Sequence, residues 1–334
     1  MSTKVVVRPS GSEFFIGPHE TLLEAGLRAG LNLEYLCSNG SCGDCRARVI
    51  SGEIGEVGYH DFRFSIQEQS QGYTLMCLAK AKTDLIIEAA EATDARDIPL
   101  QEFTAKVFKL ERLTDDLMVV SLRAPHDRSL RFLAGQYVTL EIDGLPPRDK
   151  SIASCPCAGR LLQVHFRLRA GAPFPEYVFS RLRTMNRVLV TGPFGEFTLD
   201  ESSVRPIIFL AYETGFASVK SLIEHVIALE LEQPLHLYWI VEKPGGHYME
   251  NYCKYWANSL DNFRYTPLHV LDNSGSLGKR TAAAAQPLWD DYPDLTGLDL
   301  YMSIPVGGES PLRDLLLRQG IPEERLRMEL LEKY

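Results

Sequence analysis

The chain has 334 residues, 45% of them hydrophobic, with 35 basic against 44 acidic side chains for a net charge of −9. That length predicts about two to three domains, and the acidic balance argues against a nucleic-acid binder. No stretch approaches the roughly 18 apolar residues of a membrane span, and the opening MSTKVVVRPSG lacks the apolar run of a signal peptide, so a cytoplasmic protein is expected.

Residues 3–7 alternate as a strand, and TLLEAGLRA (21–29) reads as a short amphipathic helix with Thr21 at its N-cap. Cys37, Cys42 and Cys45 follow in C-x4-C-x2-C spacing, and Cys77 stands 32 residues further on. This is the plant-type [2Fe–2S] arrangement. Three thiolates on one tight loop and a fourth from a distant segment can enclose two irons from opposite sides. Gly40 and Gly43 suit a loop whose backbone N–H groups must approach inorganic sulfide. Zinc pairs usually sit at CxxC…CxxC spacing instead. The other three cysteines, Cys155, Cys157 and Cys253, have no framework spacing and are expected as reduced thiols. Segments 48–50 and 85–88 read as further strands, which completes a small α+β unit over residues 1–90.

Residues 91–102 (EATDARDIPLQE) are charged and aperiodic, and read as a linker. From Phe103 to residue 202, TAKVFKLERL, LMVVSLRA, GQYVTLEI, LLQVHFRL and NRVLVTG recur as short strands with turn signals, the pattern of a small antiparallel β-barrel. From residue 203 to 334 the pattern changes again. An apolar run at 207–211, a helical period at 219–229 and a second apolar run at 235–241 form a βαβ unit with a parallel sheet, hence an α/β domain. The run 282–285 reads as a loop or helix start, and 311–318 as amphipathic with Leu312, Leu315 and Leu316 in the core. The eight histidines show no HxxxH or HExxH, and no GxSxG elbow is present.

The cluster loop, LAGQYV at 133–138, SIASCP at 151–156, GPFGEF at 192–197 and TGFASVKSLIE at 214–224 together resemble the ferredoxin-NAD(P)+ reductase superfamily carrying an N-terminal ferredoxin. The resemblance spans nearly the whole chain. It is nearest to reductases of aromatic-ring dioxygenases and of CDP-6-deoxy-hexose dehydration. It implies a β-grasp ferredoxin with a [2Fe–2S] cluster on the four cysteines, an FAD-binding-type barrel, an NAD(P)-binding-type α/β domain, and a redox partner that is an oxygenase or dehydratase component. For the flavin, it implies Arg148 on the phosphates, Ser151 near the reactive ring nitrogen, and contributions from Lys150, Ser180, Gly192, Pro193 and Gly195. Thr214 and Gly215 fall in the nicotinamide-side turn.

Several of these positions depart from the family pattern. Lys150 stands where the stacking aromatic is expected, and Tyr177 where glycine lets backbone reach the pyrophosphate. The glycine turn of the nucleotide domain reads Ala211-Tyr212-Glu213-Thr214-Gly215, and Ser303 replaces the cysteine on the hydride path. A glutamate beside a would-be diphosphate opposes it. Two readings follow. In one, single electrons pass from FAD through the cluster to a partner, with NAD(P)H disfavoured as donor. In the other, the chain is a pseudo-reductase carrier or docking subunit whose vacated flavin–nicotinamide cleft is filled by these side chains, joined by a Lys150–Glu213 ion pair. A flavin stacked instead on Tyr212 or Tyr334 is the alternative packing.

Overall fold

A computed structural model describes residues 3–331 except 93, 127 and 271–274. The first unit contains β1 (Thr3–Arg8), β2 (Glu13–Ile16), α1 (Leu22–Arg28), β3 (Arg46–Ser51), β4 (Ile54–Val57), α2 (Ile66–Ser70), β5 (Tyr73–Leu75), β6 (Ala79–Ala81) and β7 (Leu85–Glu88). Its main sheet has the order β2-β1-β7-β3-β5, with β1 and β7 parallel and α1 against β2. The expected cap of α1 is present. The Thr21 hydroxyl accepts from the amide of Glu24 at 3.2 Å while the Glu24 carboxylate accepts from the amide of Thr21 at 2.9 Å, a reciprocal capping box.

The barrel comprises β8 (Gln101–Arg112), β9 (Leu117–Arg123), β10 (Tyr137–Glu141), β11 (Arg148–Ser151), β12 (Leu161–Arg167), α3 (Pro173–Ser180) and β13 (Arg187–Phe194). Its antiparallel order is β11-β10-β13-β8-β9-β12, and the end strands β11 and β12 approach each other, so the sheet is nearly closed. Alternate residues such as Ala105, Val120, Val138, Val164 and Val190 fill it, and α3 plugs one end with Phe174 and Val178. β8 begins at Gln101, inside the segment expected to be linker. That segment is also anchored, because Ala92 and Ile98 pack with Leu133 of the barrel.

The last unit holds β14 (Ile207–Tyr212), α4 (Phe216–Ala228), β15 (Leu235–Val241), α5 (Glu250–Ser259), β16 (Phe263–His269), α6 (Leu277–Ala284), α7 (Gln286–Asp291), β17 (Asp299–Pro305), α8 (Glu309–Arg318) and β18 (Leu326–Leu331). The five strands are parallel in the order β16-β15-β14-β17-β18. Every residue of β14, β15 and β17 is buried, which explains the uninterrupted apolar runs: helices cover both faces. Ile208, Leu210 and Tyr212 face the α6–α8 layer, while Phe209, Ala211 and Trp239 face α4 and α5. In α8, Leu312 and Leu316 are buried as expected, and Leu315 is only half-buried.

Two expectations need correction here. Cys155 and Cys157 form a disulfide across the turn at Pro156 rather than two reduced thiols, because that turn folds the two side chains together; Cys253 remains free and buried. Tyr177 and Tyr212 do not fill a cleft. The period of α3 turns Tyr177 against the barrel core, and the period-2 alternation of β14 buries Tyr212 in the opposite face of the parallel sheet. No described helix is long and apolar enough to cross a membrane.

Candidate functional site

The cysteine loop lies between α1 and β3. Positive φ at Ser38, Gly40 and Gly43 curls it, and it is pressed against its own unit: a Cβ added at Gly43 would sit 2.0 Å from the Phe62 ring. The result is a set of converging sulfurs. Cys37 and Cys42 Sγ are 3.1 Å apart, and the Cys45 and Cys77 thiols hydrogen-bond to each other. Among the described residues no three ligating side chains surround a single point. Two thiol pairs, three sulfurs from the loop and Cys77 from the segment after β5, would suit the donor set of a two-iron cluster. Backbone amides already point at sulfur: Cys42 N–H donates to Cys37 Sγ at 3.4 Å and Asp44 N–H to Cys42 Sγ at 3.5 Å. Burial raises the Cys37 thiol, but donation from Ser41 and from the amides of Asn39 and Cys42 outweighs it and brings it down to about 6. Burial raises the partner Cys42 thiol, so within this pair the loop's donors hold negative charge on the Cys37 sulfur.

Between barrel and α/β unit lies a cavity of about 450 Å³ walled by Tyr137, Lys150, Ser151, Gly195, Phe197 and Glu329. A smaller cavity of about 80 Å³ lies across β11 and is walled by Arg148, His165, Arg167, Arg169, Ala172 and Thr214; Asp149, Lys150, Ser151 and Leu331 border both. The first mixes the aromatic rings of Tyr137 and Phe197 with charged side chains of both signs, and the second is predominantly cationic. A flavin ring and its diphosphate could occupy the two spaces, in which case Ser151 would border the ring and Arg148 the diphosphate. Gly195 stands in the first wall at φ +91°, while Gly192 and Pro193 are buried in β13 beneath it. Ser180 is elsewhere. It ends α3 and donates to the carbonyl of Glu176 at 2.6 Å. The Lys150 ammonium lies 5.0 Å from the centre of the Phe166 ring, a cation–π contact in place of ring stacking.

Sequence reasoning missed Glu329. Its carboxylate accepts from Ser151 Oγ at 2.5 Å and Ser303 Oγ at 2.5 Å, and from the Ser218 hydroxyl of α4. Burial raises its pKa against the opposing effect of these three hydroxyls and of Lys150. A carboxyl so held can keep or release a proton at the cavity wall. The only signal was a single acid, Glu329, inside LRMELL, a segment for which the sequence alone suggested no role. His165 was also missed. Its Nδ1 pairs with the Tyr248 hydroxyl at 2.8 Å and its Nε2 has no partner. Burial, then the nearby Lys220 and Lys150 charges, hold it well below its ordinary pKa and therefore neutral.

The turn from β14 to α4 is built differently from the expected ion pair. Glu213 has φ +50° and is 7% exposed. One carboxylate oxygen accepts from the Glu242 amide at 2.7 Å and the other from Arg167 Nη2 at 2.6 Å. Arg167, not Lys150, supplies its positive partner, because β12 delivers the guanidinium from the barrel side. Arg167 also binds Asp116 at 2.7 Å. Next to it the Tyr212 hydroxyl donates to Glu242 at 2.6 Å. Thr214 borders the cationic cavity, and Gly215 lies so close to β17 that a Cβ there would be 2.5 Å from the Ser303 carbonyl oxygen. Tyr334 lies outside the described residues.

A family profile for the 2Fe-2S iron-sulfur cluster binding domain matches residues 5–82. Over 326 residues the chain is 30% identical to the CDP-6-deoxy-L-threo-D-glycero-4-hexulose-3-dehydrase reductase of Yersinia pestis, covering 97% of each chain. It is 28% identical over 265 residues to terephthalate 1,2-dioxygenase reductase component 1 of Comamonas sp, covering 79% of this chain and 78% of the other. Among solved structures, the Amycolatopsis cytochrome P450 reductase GcoB superposes with a TM-score of 0.63 at 25% identity over 99% of both chains. The ferredoxin reductase in carbazole 1,9a-dioxygenase gives 0.60 at 20% identity, covering 99% of this chain and 98% of that one, a likeness of fold. With paired thiols, flavin-type barrel and parallel sheet in the same order along the chain, this protein belongs to the ferredoxin reductase family that includes the CDP-6-deoxy-hexulose-3-dehydrase reductases.

Proposed function

We propose that the chain is the electron-transfer component of a two-part system, delivering single electrons to a partner of dehydratase or oxygenase type, with reduced nicotinamide dinucleotides as poor donors. The observation that carries this reading is the pair of thiol pairs at Cys37/Cys42 and Cys45/Cys77 in a chain whose barrel keeps an open 450 Å³ cavity. A flavin bound there would supply the conversion between two-electron and one-electron chemistry, and a [2Fe–2S] cluster the one-electron carrier. The chain's own part is to hold the ring between Tyr137, Ser151 and Gly195, to meet the diphosphate with Arg148 and Arg169, and to keep a proton at Glu329. Relatives that serve a dehydrase and a dioxygenase support the class of partner.

A second reading, a carrier whose reductase body is silent, is favoured by the carboxylate of Glu213 at the head of α4. An anaerobic visible spectrum of the protein with FAD, before and after NADH and NADPH, separates the two. Flavin and cluster bands with slow or absent bleaching by either nucleotide, and prompt bleaching by dithionite, are expected. Cluster bands alone after FAD addition would establish the carrier. Rapid bleaching of both by NADH or NADPH would overturn the poor-donor reading.

A further inference from the structure

In an open parallel sheet, ligands bind beyond the carboxyl ends of the strands where the strand order reverses. Here that point is the end of β14, which has β15 on one side and β17 on the other. A dinucleotide's diphosphate at such a place needs a turn without bulky side chains and backbone N–H groups left over to donate. This turn fails the first requirement, because it carries a glutamate side chain. Glu213 sits in the left-handed region that glycine prefers, an uncommon place for a glutamate, and two interactions hold it there. Its carboxylate takes the Glu242 amide at 2.7 Å and the Arg167 guanidinium at 2.6 Å. It therefore consumes a backbone donor and a cation from the neighbourhood a phosphate would use. Glu242, at the end of β15, is in turn satisfied by the Tyr212 hydroxyl at 2.6 Å and lies 3.5 Å from Arg280.

We infer that Glu213 is a specificity-determining residue that excludes dinucleotide diphosphates by standing in for a phosphate with its own carboxylate, clamped to Arg167 of the barrel. The idea rests on the poor-donor reading above and gives it a cause. It also assigns the Glu213–Arg167 contact a second consequence: the barrel and the parallel sheet are tied together at the place where a nucleotide would part them.

The test uses ADP-ribose, which carries the diphosphate but no hydride, so binding is read apart from electron transfer. Calorimetric titration into FAD-reconstituted holoprotein is compared for the wild type, Glu213→Gly and Glu213→Gln. Glycine suits the local backbone and frees both donors, so its affinity should rise at least tenfold, which corresponds to about 1.4 kcal/mol. Glutamine keeps the shape and removes the charge, so it should fall between the two. Cluster absorbance and melting temperature report folding of each variant. If glycine binds ADP-ribose no tighter than the wild type, the inference is overturned; should the glycine variant fail to fold, unchanged affinity in the glutamine variant does the same. If NADH bleaches the wild type rapidly while Glu213→Gly still gains tenfold, the poor-donor reading fails and the role of Glu213 stands.

Discussion

A single atom's absence shapes the cysteine loop. At Gly43 a Cβ would lie 2.0 Å from Phe62, and the residue's φ is +85°, so alanine there meets both steric overlap and the left-handed backbone cost of about 1–2 kcal/mol. With overpacking at about 1–3 kcal/mol, Gly43→Ala should lose roughly 2–5 kcal/mol of stability. Cluster absorbance per mole of protein should fall with it, measured by iron content and visible spectra against thermal melts. Unchanged melting and full iron content would mean the loop is looser than its contacts show. The spacing of Cys37, Cys42 and Cys45 is a local property of one loop, whereas Cys77 reaches them only through the fold of the unit. Glu329 was not legible in the sequence. Its meaning depends on Ser151, Ser218 and Ser303 arriving from three other elements, and a lone acid in an apolar strand looks like an edge residue until they do.

The parallel sheet is an element-scale case of polar groups buried at a cost that depends on pH. His236 of β15 is 1% exposed, with its ring nitrogens on the Tyr292 hydroxyl at 3.1 Å and Thr266 Oγ1 at 2.7 Å. Burial, reinforced by the charge of Arg264, pushes its pKa down to about 4. A depressed histidine binds its proton more readily in the unfolded chain, so its contribution is complete above the unfolded value of about 6.5 and is lost as pH falls towards 4. Each such group adds a slope of about 1.4 kcal/mol per pH unit across that window. Urea midpoints between pH 7 and pH 4.5 should therefore fall more steeply in the wild type than in His236→Gln. Parallel slopes in the two proteins would show that this histidine does not titrate on unfolding. At this scale the buried strands announced themselves through unbroken apolar runs. The direction of each side chain did not, and so Tyr212 looked like a cleft filler while the alternation of β14 sends it into the α6–α8 layer.

For the molecule as a whole, the joins between units matter most. The first unit meets the rest where α1 packs on the turn at Pro156, through Asn32 and Glu201 at 3.4 Å and Glu34 and Arg131 at 3.5 Å, and beside the small Ala92–Ile98–Leu133 cluster. Both polar joins are long and partly buried, and the apolar anchor is what fixes the connecting segment itself. Ile98→Ala should cost about 2–4 kcal/mol of local stability. Cleavage by a low dose of trypsin at Arg96 should quicken markedly, while cluster absorbance stays at wild-type level. Equal cleavage rates would place the anchor elsewhere. Composition and motif order determined the fold class, the [2Fe–2S] character and the family, because strand period, cysteine spacing and apolar runs are written within short windows. Only the tertiary structure decided which side chains meet. It gave Glu213 to Arg167 instead of Lys150, gathered three serines on Glu329, joined Cys155 to Cys157 and left a cavity open beside Ser151. Those contacts join residues from 2 to 178 positions apart, and most are set by how whole sheets and helices dock, which no local pattern encodes.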